Sequence, residues 1–116
     1  MSDQESVWKV EFYKTARGDS PPREYVDSLN DEDRAKIARF LGLLRDLGTA
    51  ISMPYAKHLT GDLWELRPHP HRLLYVAVQG RRFYILHAFR KVSDKTKPRD
   101  VDLALSRMRD LSERLK

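Results

Sequence analysis

LWELRPHPHRLLYVAVQGRRFYILHAF, residues Leu63–Phe89, reads as three consecutive strands. Leu63-Trp64-Glu65-Leu66-Arg67 alternates apolar and polar side chains, the period of a pleated strand. Arg72 to Val78 is almost continuously apolar, as a central strand is. Arg82 to Phe89 is rich in aromatic and β-branched types, which favour strands. Pro68 to His71 supplies a turn between the first two, and Gln79-Gly80 is a tight hairpin connection between the last two. Strands joined by such short turns run antiparallel.

Working outward, Val7-Trp8-Lys9-Val10-Glu11-Phe12-Tyr13 alternates well enough for a first strand. Gly18-Asp19-Ser20-Pro21-Pro22 breaks it. Ser20 is placed to cap a short helix through Tyr25, Val26 and Leu29, with proline in its first turn. Asn30 caps the next helix, and Asp31, Glu32 and Asp33 load its first turn with the sign that suits the dipole. Ile37, Phe40, Leu41, Leu44 and Leu47 make one apolar stripe, and Gly48 ends it. Ile51 to Gly61 reads as a loop punctuated by Pro54 and Gly61. From Pro98 a last helix sets Val101, Leu105, Met108, Leu111 and Leu115 near one face. The expectation is a single domain over residues 1–116, of α+β class, in the order β-α-α-β-β-β-α. It has a small antiparallel sheet of about four strands with helices packed on one face. The free face would receive a large polar substrate.

The chain has 116 residues and no cysteine, which excludes disulfide scaffolds, thiolate metal sites and cysteine nucleophiles. No apolar run is long enough for a bilayer-spanning helix. The acidic, polar Met1–Ser6 is unlike a signal peptide, and the lack of cysteine fits a reducing cytoplasm, the expected location. The net charge of +5 is unevenly spread. Residues 67–99 hold Arg67, Arg72, Arg81, Arg82, Arg90, Lys91, Lys95, Lys97 and Arg99 against the single acid Asp94. Such a stretch attracts polyphosphate, and equally serves as a solvated face or a dock for an acidic protein.

On alternation, Leu63, Glu65 and Arg67 share one side of their strand, and Glu65 and Arg67 face outward. Arg72 begins the next strand, and Lys91 and Lys95 follow the last one. One carboxylate and several cations thereby gather over one surface. Cleavage of RNA by its own 2′-OH needs such parts: a base for the hydroxyl proton, cations for the phosphate and an acid for the departing 5′ oxygen. Arginine suits the phosphate because its planar fork binds two oxygens. Plainer readings stand beside these. Glu65 and Arg67 are also an ordinary surface pair, worth ~0–1 kcal/mol. Trp64 reads as core before it reads as a base-stacking platform. His87, between Leu86 and Ala88, reads as a hydrogen-bonded structural histidine before a proton donor. Lys57 and His58 reach phosphate or merely solvent. His69 and His71, two apart without a third ligand, are weak evidence for a metal. No nucleophile elbow, P-loop or dinucleotide turn is present.

Three strings in order give the chain a resemblance: Lys57-His58-Leu59-Thr60-Gly61-Asp62-Leu63-Trp64-Glu65-Leu66-Arg67, then His71-Arg72-Leu73-Leu74-Tyr75, then Leu86-His87-Ala88-Phe89-Arg90-Lys91-Val92-Ser93-Asp94-Lys95-Thr96-Lys97-Pro98. The pattern resembles the HigB-like, phage-derived branch of the RelE/ParE toxin superfamily, from Trp8 to the last helix. The resemblance implies a RelE-like fold and the toxin of a type II toxin–antitoxin system. That toxin would be a metal-independent, cofactor-free mRNA endoribonuclease acting in the A site of the 70S ribosome. A helix-turn-helix antitoxin would neutralise it. By position it implies Arg72 as the phosphate-binding arginine and Lys91 as a basic catalytic residue. Glu65 or a lysine would be the base, with Lys95 also catalytic. Lys57, Arg67, His87 and Arg90 would bind RNA. Some relatives carry lysines where this chain has Glu65, and the C-terminal catalytic tyrosine of some relatives has no evident counterpart after Lys95, so His87 or a lysine would supply the acid. Two alternatives remain: a ParE-like, non-enzymatic toxin acting on DNA gyrase, and a plain nucleic-acid-binding module.

Overall fold

The computed structural model describes residues 8–116. Met1–Ser6 and Val7, where the sequence places the start of the first strand, lie outside them. The elements are β1 (Lys9–Phe12), α1 (Pro21–Asp27), α2 (Asp31–Leu47), a short 3-10 turn (Gly48–Ala50), β2 (Ala56–Thr60), β3 (Leu63–Leu66), β4 (His71–Val78), β5 (Arg82–Arg90) and α3 (Pro98–Arg114). They form one five-stranded sheet in the order β1-β5-β4-β3-β2. Among the described residues no helix is long and apolar enough to cross a membrane.

The α+β class and the order of the expected elements hold. The antiparallel pairing of β3 with β4 and of β4 with β5 holds as well. Three details differ. First, the sheet has five strands, because Ala56–Thr60 pairs antiparallel with β3. The sequence reads that segment as a loop. It is an edge strand, exposed on most of its length, and an edge strand lacks a strong alternating pattern. Second, the sheet is mixed: β1 lies parallel to β5, with Lys9 beside Arg82 and Phe12 beside Ile85. The helical excursion between β1 and the hairpins permits that direction.

Third, helices cover both faces. Val26 of α1 and Ile37 and Leu44 of α2 pack with Leu66, Leu73, Tyr75, Phe83 and Ile85 on one face. Ala104 and Leu111 of α3 pack with Tyr13, Leu63, Leu74, Val76 and Leu86 on the other. The expected open face does not exist. The sign was in the sequence: β4 is buried from His71 to Val76, and a strand apolar on both sides belongs between two layers.

Local signals explain the helix ends. Asn30 Oδ1 accepts from the Asp33 amide at 2.8 Å. Ser20 occupies the cap position of α1, but its hydroxyl donates instead to the Tyr13 carbonyl at 2.7 Å. Gly48 takes φ 58° at the end of α2, and a Cβ there would lie 2.4 Å from the Trp8 indole nitrogen. Trp8 in turn stacks on Phe83, ring centroids 4.4 Å apart.

Two polar clasps hold α3 to the sheet. At its first turn Asp100 Oδ1 lies 2.8 Å from His87 Nε2 of β5. Near its other end the Tyr13 hydroxyl donates to Asp110 Oδ2 at 2.6 Å. The guanidiniums of Arg107 and Arg114 lie 5.6 and 5.4 Å from the Tyr13 ring centre, a cation–π arrangement. Together they fix where the segment 91–97, between β5 and α3, crosses the sheet.

Candidate functional site

Strand parity puts Glu65 of β3 and Arg72 of β4 on the α3 face, next to Leu63 and Leu74. They stand beyond the start of α3, where the segment 91–97 lies over them. Glu65 Oε1 is 3.7 Å from Arg72 Nε and 3.6 Å from Arg67 Nε. The Thr96 hydroxyl donates to Glu65 Oε2. Glu65 is therefore not the exposed, outward carboxylate the alternation suggested. It is 3% exposed, and Arg72 only 5%. The face was correctly assigned, but the covering by Thr96 and the two guanidiniums is a tertiary event.

Arg72 Nη1 donates to the carbonyl of His71 at 3.0 Å. Its Nη2 has no partner among the described residues. Among the described residues no buried side-chain nitrogen or oxygen is left sealed without a partner, and Arg72 lines a surface depression. Burial first, and then the neighbouring Arg67 charge, pulls the Arg72 guanidinium below its ordinary pKa, while Glu65 and Asp94 oppose them. Arginine stays charged through such shifts. The result is a part-desolvated cation with a spare donor, a good anion receiver.

Two adjoining depressions meet at this point. One is lined by Arg72, Phe89, Lys91, Lys95, Thr96, Lys97 and Asp100, among others. The other is an open groove of about 340 Å³ lined by Lys57, His58, Glu65, Asp94, Lys95, Thr96 and Val101, among others. Asp94, Lys95 and Thr96 border both. Lys57 stands opposite Glu65 in the β2–β3 register and is exposed. Lys91 is half-buried, with Nζ 3.2 Å from the fully exposed Asp94 carboxylate. Glu65, Arg67, Arg72, Lys57, Lys91 and Lys95 are thus brought together.

His87 and Arg90 are not. His87 lines neither depression; its ring stacks on Phe89 and its Nε2 is engaged by Asp100. Burial lowers its pKa below the usual histidine value, against the opposing pull of Asp100. The structure thus gives His87 a clasp on α3 and no opening to the groove. Arg90 pairs in register with His71, on the opposite parity to Phe89, and its charge acts on Tyr25 at the α1 side of the sheet. His69 is exposed, whereas His71 is buried between the Tyr25 hydroxyl (2.7 Å) and Asp33 Oδ2 (3.2 Å). The two histidines do not converge, and no metal-holding cluster of His, Cys, Asp or Glu occurs among the described residues. Sequence reasoning missed Thr96 and Asp94 as members of the site. Thr96 sat inside the quoted lysine-rich string, but nothing in that string shows that it would cover Glu65.

The family model of the phage-derived Gp49-like proteins (DUF891) matches residues 24–109. No curated protein sequence matches the chain. Among solved structures, the free-state double mutant of the Escherichia coli toxin RelE is similar at TM-score 0.59 and 14% identity, over 88% of this chain and 98% of that one. RelE in the archaeal RelE–RelB complex of Pyrococcus horikoshii OT3 follows at TM-score 0.56 and 15% identity, over 74% and 97%. The toxin–antitoxin complex RelBE2 of Mycobacterium tuberculosis gives 0.54 and 20%, over 73% and 99%. The likeness to these structures establishes the shared fold, and the family match covers most of the chain. The chain belongs to the phage-derived Gp49-like family and has the fold of the RelE toxins.

Proposed function

We propose that this chain is the toxin of a type II toxin–antitoxin pair. It is a ribosome-dependent endoribonuclease that cuts mRNA in the 70S A site. One observation carries this reading: a buried, ion-paired Arg72 presents a spare donor to a depression ringed by lysines. A plain basic face for solubility has no need to bury its cation, because desolvating a charge is costly.

The chemistry follows from the placement. Arg72 receives a non-bridging phosphate oxygen, and Lys91 adds positive charge as negative charge grows on the phosphoryl group. Glu65 takes the proton of the 2′-OH as the 2′-oxygen bonds to phosphorus. The bond from phosphorus to the 5′-oxygen breaks, and that oxygen takes a proton from the Lys95 ammonium, which borders both depressions. The products are a 2′,3′-cyclic phosphate and a 5′-hydroxyl. Lys57 and Arg67 hold the flanking backbone. All charge in this scheme comes from side chains, with no cofactor or metal. Two of the similar structures are complexes with antitoxins. We take a helix-turn-helix antitoxin as the partner here too, and the cytoplasm, where ribosomes work, as the location.

The test is brief induction of the chain in growing cells followed by mapping of mRNA 5′ ends. Cuts inside coding regions are expected, and they disappear from a message whose start codon is removed. Growth arrest with intact mRNA and broken DNA would instead mean a gyrase-directed toxin and would overturn the ribonuclease reading.

A further inference from the structure

On the face of the sheet away from Arg72 lies a separate cavity of about 130 Å³. Its floor is made of Ile51, Tyr75 and Phe83, all buried, with Trp64 half-buried beside them. Its mouth is made of Thr49, Asp62 and Ala77, all exposed. Trp64 and Tyr75 face each other across β3 and β4, and Tyr75 meets Phe83 edge-on at 5.5 Å. The volume suits one six-membered ring: a cavity of about 150 Å³ lined by apolar side chains admits benzene.

Two polar groups there are unspent. Tyr75 is 2% exposed, yet its hydroxyl has no hydrogen-bond partner among the described residues. Among the described residues no buried side-chain oxygen is sealed without a partner, and Tyr75 lines the cavity. Burial raises the phenol's pKa, so it stays a neutral donor and acceptor. Asp62, at the mouth, has no ion-pair partner among the described residues, although the chain carries an excess of cations. Water reaches this hydroxyl through the cavity, so a ligand that displaces the water must replace its hydrogen bond. An aromatic wall with a carboxylate at its rim selects a cation.

We propose that this cavity binds a small arylalkyl-ammonium ligand. A single ring enters among Trp64, Tyr75 and Phe83, a ring hydroxyl pairs with the Tyr75 hydroxyl, and the ammonium meets Asp62. The site lies on the α2 side of the sheet and shares no residue with the groove at Arg72, so it stands or falls independently of the ribonuclease reading.

The experiment titrates the folded, full-length chain with tyramine, following backbone amide shifts by NMR and tryptophan fluorescence. Saturable shifts at Thr49, Asp62 and Ala77 are expected. Asp62→Asn weakens binding about fivefold, the scale of a part-exposed ion pair. Tyr75→Phe removes the preference for tyramine over phenethylamine. Ala77→Leu fills the cavity from its exposed mouth and abolishes binding, while growth arrest by that variant is unchanged. Three results would overturn the proposal. They are no shifts at all with a well-dispersed spectrum, equal affinity for 3-(4-hydroxyphenyl)propionate, and shifts centred on Glu65 and Asp94 instead of the cavity.

Discussion

Glu65 and Arg72 sit on neighbouring strands with Oε1 and Nε 3.7 Å apart, both nearly closed off from solvent. Their pairing is diagonal across the β3–β4 ladder, since Glu65 stands opposite Leu74 in the register. Arg67, one residue past β3, completes a triad in which one carboxylate faces two guanidiniums. The carboxylate thereby lets a second arginine approach, and the surplus charge is directed to the groove.

Arg72→Ala should lower mRNA cleavage by about 10²–10³, the usual effect of losing one preorganised charge donor. Because that variant also breaks a buried pair, Arg72→Lys is the better gauge. It keeps the charge and loses the fork, so it should fold, co-purify with the antitoxin and retain only a small part of the activity. Cleavage at the wild-type rate by Arg72→Ala would remove Arg72 from the reaction.

Glu65→Ala and Glu65→Gln should differ in stability and agree in activity. The alanine variant leaves two guanidiniums facing one another beside a buried void, at a cost of about 3–5 kcal/mol. Glutamine keeps an acceptor for Thr96 and costs about 1–3 kcal/mol. Neither can take the 2′-OH proton, so both should lose cleavage. Denaturant melts and a cleavage assay measure the two effects separately. A fully active Glu65→Gln would reassign the base to a lysine.

His87 sets a pH dependence of stability. Its folded pKa lies below the unfolded value because burial disfavours the charged ring. The unfolded chain then binds more protons, so stability contributed by neutral His87 is complete above about pH 6.5 and declines as pH falls through that value. The decline levels off below the folded pKa. Thermal melts at pH 7.5 and 5.5 should show a smaller acid loss for His87→Asn than for the parent chain. An identical loss would mean that His87 is not the titrating group.

Gly48→Ala should destabilise the fold by about 1–3 kcal/mol, through the positive φ and the collision with Trp8. A shift in tryptophan emission should accompany it as Trp8 leaves Phe83. An unchanged melting temperature would show that the indole moves aside without cost.

The three consecutive strands, the capped helix from Asp31 and the last helix from Pro98 could be read directly, because their periodicity and turn residues are local. β2 could not, since an edge strand such as Ala56–Thr60 owes its conformation to its neighbour β3. The placement of α3 was half legible: its apolar face demanded a cover, and the double-sided burial of β4 named one, but only packing chose the face. Among site residues, the motif and strand parity singled out Arg72, Glu65, Lys91 and Lys95. The motif also pointed to Arg90, which the alternation turns to the other face, and neither pointed to Thr96, whose contact with Glu65 spans 31 residues of chain.

What the sequence determined alone was which segments form elements, which residue types cluster and which side of a strand each occupies. Those depend on the backbone period and on neighbours within a few positions. What tertiary structure decided was exposure. Glu65 and Arg72 are buried because the segment 91–97, far downstream of both, closes over them, and Tyr75 meets a cavity because the turn after α2 leaves one. Burial depends on distant parts of the chain meeting, and it changes a surface charge into a desolvated one with a different chemistry.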